Sequence, residues 1–408
     1  MKSAVISIGN EILLGKTTNS NLAFLAAKLA EIGIPVEFCL TVKDDSQAIL
    51  ESLQKAVAEC DVVISTGGLG PTEDDITKAT IARFFGCELE FDPSIWEHVQ
   101  RLFAARNMPT PQINRSQAMV PRGFTALRND RGTAPGLFYE HSGKCFFALA
   151  GVPLEMAHVF LQRIIPILRD RYPALKPVVQ RTLHTFNISE SALAEIIDQG
   201  RIPPAVSFAW LPQTGRVDLR LYGTDIGAIS EAEKYLMSTI PRLIWGRDED
   251  TPTSKLGELL LAKGLTLSTA ESCTGGLVGK MCTDLAGASD YYLGSVVAYS
   301  NDLKESLLGV DKELIAKYGA VSEECALMMA QGIKRLTKSG TAISVTGVAG
   351  PSGGTMEKPV GTVCFGFAVL DENWTLRTVF TGTRETIRHK AAEFAILSLT
   401  KYLSGSSD

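Results

Sequence analysis

The sequence predicts an α/β protein in which two three-layer α/β/α domains are joined by a small α+β domain. Three observations carry this. Residues 1–172 alternate continuous apolar runs with amphipathic stretches, the pattern of a parallel sheet covered on both faces. Prolines at 166, 173 and 177 then gather where a boundary is plausible. Residues 251–408 return to strand–helix alternation around a double glycine, Gly275-Gly276, leaving 173–250 for the small domain.

Length and composition agree with that division. A chain of 408 residues exceeds one ordinary core, and 45% hydrophobic with 21% charged residues describes a globular protein. A net charge of −5 disfavours general nucleic-acid binding. Eight scattered cysteines without a Cys-x-x-Cys pair suit the reduced thiols of a cytoplasm better than disulfides or zinc. Met1-Lys2 leads straight into a strand-like run, so no signal peptide is expected. No window reaches the ~18 apolar residues that read as a membrane span. The expectation is a cytoplasmic protein with no membrane partner.

In the first domain, strands are expected at residues 4–8, 36–42 and 62–65, and helices at 19–32, 46–59 and 154–169. Ligands of such sheets bind beyond the carboxyl ends of the strands. Three polar clusters fall there: Gly9-Asn10-Glu11, Lys43-Asp44-Asp45, and the run from Thr66 through Gly67, Gly68, Gly70, Thr72, Asp74 and Asp75 to Thr77. The glycines let backbone approach a phosphate. Glu11, Asp44, Asp45, Asp74 and Asp75 are hard oxygen ligands suited to magnesium or a similar divalent ion. Equally, such acids sit solvated at helix starts, where the dipole favours them.

The small domain reads as a strand at 178–186, a helix at 189–198, a strand pair at 206–211 and 216–222 turning at Gln213-Thr214-Gly215, and a helix at 229–240. Asp248 to Thr253 reads as a polar linker.

In the last domain, a helix ends at Gly264 and a strand at 265–269 runs into Ala270-Glu271-Ser272-Cys273-Thr274-Gly275-Gly276. A helix follows at 277–285, then a strand at 291–299 and the loop Ser300-Asn301-Asp302-Leu303-Lys304. A helix at 322–338, strands at 342–345, 361–370 and 376–381, and a helix from 384 complete it. A strand breaking into a helix at Gly-Gly leaves backbone N–H groups at the positive end of the helix dipole, a ready-made anion site. The plainer reading is a capped helix with a tight turn.

Right-handed crossover puts the Ser272 turn and the loop ending at Lys304 on one sheet edge, joined by Thr346-Gly347 if the third strand is parallel. Ser289 starts the second strand, about 25–30 Å from Lys304 at ~3.3 Å per residue. Ser272 is therefore the better nucleophile, unless a partner subunit or a short strand brings Ser289 in. His389 is the domain's one histidine and reads as a surface residue of a helix. Lys304 is the alternative base. A lysine near ~10.4 must fall to ~7–8 to serve, a shift of roughly 4 kcal/mol that requires the ammonium to be desolvated or set near another cation. Glu271 would oppose that fall, so its carboxylate is expected to point elsewhere. Tyr299 could relay a proton or orient substrate, and Cys273 is a second-choice nucleophile.

These motifs resemble the CinA (competence/damage-inducible) family across nearly the whole chain. In the first domain the resemblance lies in Gly9-Asn10-Glu11, Gly67-Gly68-Leu69-Gly70-Pro71-Thr72 with Asp74-Asp75, Asn129-x-x-Gly132-Thr133-Ala134-Pro135-Gly136 and Gly151-Val152-Pro153. It implies a molybdopterin-binding-like fold associated with a metal-dependent pyrophosphatase acting on ADP-ribose. Asp44, Asp74 and Asp75 with Glu11 would then hold a divalent cation (Mg, Mn or Co), and Gly67, Gly68, Gly70, Thr72 and Thr77 the diphosphate. The middle domain resembles a KH-like unit, but Gly200-Arg201-Ile202-Pro203 lacks the second glycine of a nucleic-acid clamp. It is expected to act as a spacer or dimer contact.

The last domain resembles the CinA carboxy-terminal domain in Glu271-Ser272-x-Thr274-Gly275-Gly276, Gly287-Ala288-Ser289, Tyr299-Ser300-Asn301-x-x-Lys304, Thr346-Gly347-x-Ala349-Gly350-Pro351 and Gly382-x-Arg384. That resemblance implies deamidation of nicotinamide mononucleotide by a serine–lysine pair without a cofactor. Lys304 would work with Ser272 or Ser289, and Tyr299, Thr346 and Arg384 would contact substrate, Arg384 suiting the phosphate. A homodimer is expected. The competing expectation is a non-catalytic competence or recombination partner whose first domain binds a pterin or nucleotide.

Overall fold

A computed structural model describes residues 1–213 and 215–405, and the chain divides into two compact units, Met1–Val179 and Gln180–Asp408. The expected turn residue Thr214 lies outside the described residues.

The first unit is built on a six-stranded sheet in the order Val36–Val42, Ser3–Ile8, Val62–Thr66, Lys144–Leu149, Gly136–His141, Thr125–Leu127. The first four strands are parallel and the last two antiparallel. Ser3–Ile8 and Val62–Thr66 are buried at every residue because helices cover both faces, which is why they read as unbroken apolar runs. Alternation splits neighbours between two cores: Ile6, Val63 and Phe146 face one side, Val5, Ile64 and Phe147 the other. Pro166, expected near a boundary, lies inside one helical run, Pro153–Val159, Phe160–Ile164 and Ile165–Arg171, directly after its π-helical turn Phe160–Ile164, the kind of local widening that accommodates a residue without an N–H.

The second unit contains two sheets. One has the order Ser207–Gln213, Arg216–Gly223, Val179–Thr185, Ile244–Arg247. The other runs Tyr292–Val297, Leu267–Glu271, Thr341–Gly347, Thr362–Val369, Glu372–Val379, with the first three strands parallel and the last two antiparallel. Its core again has two sides. Ile343, Val345, Phe365 and Phe367 meet the helices Pro252–Ala262, Leu277–Thr283 and Arg384–Leu403. Ala270, Ala342 and Ala368 meet Asn301–Leu308 and Glu323–Thr337, small residues admitting close helices.

Two stretches read as polar connections are helix starts instead. Thr251 and Ser254 form a reciprocal capping box on Pro252–Ala262, so the expected linker is partly helix. Ser300 caps Asn301–Leu308 by accepting from Leu303 N–H at 3.3 Å, which turns the expected loop into the helix carrying Lys304.

That helix is backed by Glu323–Thr337 through a glycine. A Cβ on Gly332 would lie 2.0 Å from the Leu308 carbonyl oxygen. Gly332→Ala is expected to push the two helices apart and destabilise the second unit by about 1–3 kcal/mol, read as a lower urea midpoint. An unchanged midpoint would show that this close approach is not required.

Candidate active site

The parallel register sets the site. Glu271 pairs with Val297 on one side and Val345 on the other, so Ser272, Ala298 and Thr346 emerge level at the carboxyl edge. Ser272 N–H continues the ladder to Val345 O at 2.8 Å, and the turn closes with Gly275 N–H on Ser272 O at 3.1 Å.

Lys304 returns from its helix into this edge. Its Nζ lies 3.2 Å from Ser272 Oγ, 2.8 Å from Ala298 O and 3.4 Å from Tyr299 O. Both side chains are enclosed, Lys304 at 1% and Ser272 at 8% exposure. Burial holds the Lys304 amine below the ordinary lysine range, because a desolvated ammonium is disfavoured. The thiols of Cys325 and Cys273 would oppose this only as thiolates. Burial pushes them up to about 11 and about 12, so both are neutral near pH 7. The same shift makes Cys273 a poor nucleophile.

Glu271 is fully buried and points away from Lys304. Its carboxylate accepts from the N–H groups of Gly276 (2.9 Å), Val278 (3.1 Å) and Gly279 (2.8 Å), with Ser295 Oγ at 3.3 Å. This corrects the sequence reading of an open anion site at the Gly275-Gly276 helix start: the donors exist, but the protein's own carboxylate fills them. The unfilled donors lie one turn earlier. The Cys273 and Thr274 N–H groups have no backbone partner among the described residues, and Thr274 Oγ1 is buried without one.

The other expected residues divide. Thr346 is buried beside the site, its hydroxyl donating to Ala320 O at 2.8 Å, while Gly347 ends its strand. Tyr299 is 60% exposed, and its hydroxyl accepts from Arg384 Nη2 at 3.0 Å. Arg384 Nη1 donates to Gly350 O at 2.6 Å, so the two side chains form a rim. Ser289 sits in the turn Ala288–Asp290, before its strand, at the opposite sheet edge from Lys304 in this chain. His389 is exposed on the last helix. Arg388, not singled out in the sequence, donates to Cys273 O at 3.1 Å and Thr274 O at 2.6 Å.

In the first unit, the three polar clusters do share one edge, and Asn10 N–H donates to Asp44 at 3.0 Å. Gly67 and Gly68 have left-handed backbones (φ 114 and 64), and a Cβ on either would collide with Ile8 O or Thr77 Oγ1. Gly70 lies against the Asp75 carboxylate, which accepts from Thr72 N–H at 3.0 Å and Thr72 Oγ1 at 2.5 Å. Thr77 Oγ1 is buried and unpartnered under this loop. Nearby Lys78, also unanticipated, is lowered to about 8 by burial and donates to Ser116 O at 2.8 Å. Among the described residues no three His, Cys, Asp or Glu are grouped closely enough to hold a metal by themselves. Asp75 accepts from Thr72, and Asp44 from Asn10.

Glu271→Ala would strand two buried N–H groups, those of Val278 and Gly279, each costing about 1–3 kcal/mol when unsatisfied, and the half-buried one of Gly276. It is expected to lower Tm sharply, with Glu271→Gln intermediate. A Tm unchanged in Glu271→Ala would contradict the capping role.

Comparisons with known proteins give the same two parts. Residues 4–170 match the family model described as a probable molybdopterin binding domain, and residues 249–403 match the CinA C-terminal domain. A CinA-like protein of Gemmatimonas aurantiaca is 40% identical over 97% of this chain and 95% of its own length. A putative competence-damage inducible protein of Symbiobacterium thermophilum is 39% identical over all of both chains. A crystal structure of the competence damage-inducible protein A from Klebsiella pneumoniae is 37% identical, covering 38% of this chain and 95% of that one with a TM-score of 0.37. No helix among the described residues is long and apolar enough to cross a membrane. With relatives of this identity matching it almost end to end, the chain belongs to the CinA family.

Proposed function

We propose that the carboxyl-terminal sheet carries an amidohydrolase that deamidates nicotinamide mononucleotide. The observation that carries this reading is the buried Lys304 amine 3.2 Å from Ser272 Oγ. Ser272 Oγ adds to the amide carbon while Lys304 takes its proton. The oxyanion lies against Thr274. Collapse breaks the carbon–nitrogen bond, with Lys304 returning the proton to the departing ammonia, and leaves an ester on Ser272. Water, deprotonated by the same amine, adds to that ester; the bond from the acyl carbon to Ser272 Oγ breaks, Lys304 returns the proton to Oγ, and the acid leaves. The Tyr299–Arg384 rim receives the phosphate, since a guanidinium is a planar fork for phosphate oxygens. No cofactor is required by this sequence of steps.

The amino-terminal unit is proposed to cleave the diphosphate of ADP-ribose. Support comes from the unpartnered Thr77 hydroxyl beneath the Gly67-Gly68 turn, a buried donor suited to an anionic oxygen. A divalent cation in that reaction would come in on the substrate's phosphates, the way magnesium is commonly held by one or two carboxylates plus phosphate. The protein is proposed to act in the cytoplasm as a homodimer.

Lys304→Ala is expected to lower kcat for ammonia release from nicotinamide mononucleotide by about 10²–10⁴-fold, and Ser272→Ala to abolish it. No release by the wild type would refute the amidase reading and leave a non-catalytic binding protein. Because the neutral amine is the active form, kcat/KM is expected to rise with pH through the Lys304 pKa. That midpoint should lie below the ordinary ~10.4. A flat profile would contradict a lysine base.

AMP formation from ADP-ribose with added magnesium, manganese or cobalt, lost in Asp75→Ala, tests the other half. Tight pterin binding with ADP-ribose untouched would make that unit a binding module.

A further inference from the structure

The steps above use Ser272, Lys304 and Thr274, yet the nucleophile turn is also held by Arg388, from the first turns of the helix Arg384–Leu403. One guanidinium grips two consecutive carbonyls, Cys273 O through Nε at 3.1 Å and Thr274 O through Nη2 at 2.6 Å. A planar fork bound at two points fixes both peptide planes. In a trans peptide, C=O and the following N–H point in opposite directions. Holding Cys273 O from the Arg388 side therefore turns Thr274 N–H to the other side. Holding Thr274 O fixes Gly275 N–H, which closes the turn on Ser272 O at 3.1 Å.

The Thr274 N–H so aimed has no backbone partner among the described residues, and Thr274 Oγ1, fully buried, has none either. Thr274, two residues after the proposed nucleophile, thus carries an N–H with no backbone partner and a hydroxyl with none among the described residues, while the helix-start donors of Gly276, Val278 and Gly279 are satisfied by Glu271. The positive charge on the carbonyl side also polarises the peptide and strengthens its N–H as a donor. Gly275 fits the same arrangement: its φ is 62, and a Cβ there would lie 3.3 Å from Arg388 Nη2.

We propose that Arg388 is a positioning residue for the oxyanion site: it aims the Thr274 N–H, with the Thr274 hydroxyl beside it, at the oxygen that becomes negative when Ser272 adds to a carbonyl. This rests on the amidohydrolase reading for its nucleophile but not for its substrate. Arg388 touches neither substrate nor Ser272 Oγ in this account.

The test uses the full chain and two readouts in wild type, Arg388→Lys and Arg388→Met. The first is ammonia release from nicotinamide mononucleotide. The second is the rate at which phenylmethanesulfonyl fluoride modifies Ser272, mapped by mass spectrometry. In that reaction Oγ bonds to sulfur, fluoride leaves and Lys304 takes the proton, so an oxyanion site is needed without the natural substrate. Both kcat and the labelling rate are expected to fall about 10- to 100-fold in Arg388→Met, less in Arg388→Lys, with KM within about threefold and the pH midpoint unmoved. If Arg388→Met does not fold, Arg388→Lys alone decides.

Undiminished labelling in a folded variant overturns the inference, as does a raised KM at constant kcat, which would make Arg388 a substrate ligand. Labelling that slows only in proportion to the folded fraction overturns it too. A wild type labelled at Ser272 that releases no ammonia, with labelling still slowed in the variants, leaves Arg388 in place and removes the substrate reading. A wild type never labelled at Ser272 overturns both.

Discussion

An amine taken out of water and set against a hydroxyl is the constraint on which the chemistry proposed for the second unit depends. Lys304 reaches Ser272 Oγ and the carbonyls of Ala298 and Tyr299, and burial disfavours its charged form. A carboxylate at the same point would restore the charge and remove the base. The surrounding residues are small or neutral: alanines on the sheet face beneath its helix, and thiols too buried to ionise near pH 7. Behind Lys304 its helix packs closely on Glu323–Thr337, with Gly332 against Leu308 O.

The acid beside the proposed nucleophile shows how the turn avoids that conflict. Glu271 precedes Ser272, so strand alternation sends the two side chains to opposite faces. Its carboxylate finds three backbone N–H groups and stays there. One side of the turn is thus held by a negative group on donors, and the other by a positive group, Arg388, on acceptors. Between them Thr274 keeps unspent donors. The short helix Leu277–Thr283 is stabilised by the protein's own charge rather than offered to a ligand.

Much of this was legible in the sequence. Continuous apolar runs alternating with amphipathic stretches imply the parallel sheets, and crossover handedness puts Ser272 and Lys304 on one edge. The helix Asn301–Leu308 was less visible, because Ser-Asn-Asp reads as a turn until the Ser300 hydroxyl is seen to cap it. The hairpin Gly136–His141 and Lys144–Leu149 went unassigned, since the glycine- and proline-rich motif before it dominates the local pattern. Arg388 lies 114 residues from the carbonyl of Thr274 that it holds, and nothing local marks one arginine of a long helix as a clamp. Shared strand ends could not show whether carboxylates converge. Asp44 and Asp75 satisfy nearby N–H and hydroxyl donors instead, an arrangement invisible in composition.

The most direct measurement of the central claim is the protonation of one amine. Nuclear magnetic resonance titration of the Lys304 side-chain nitrogen, assigned by its loss in Lys304→Met, reads that pKa without reference to any substrate. The account requires a midpoint clearly below the ~10.4 of a free lysine, with the other resolved lysines of the second unit titrating in the ordinary range. A Lys304 midpoint at or above that value would mean the amine stays charged beside Ser272, and the serine–lysine chemistry would have no base.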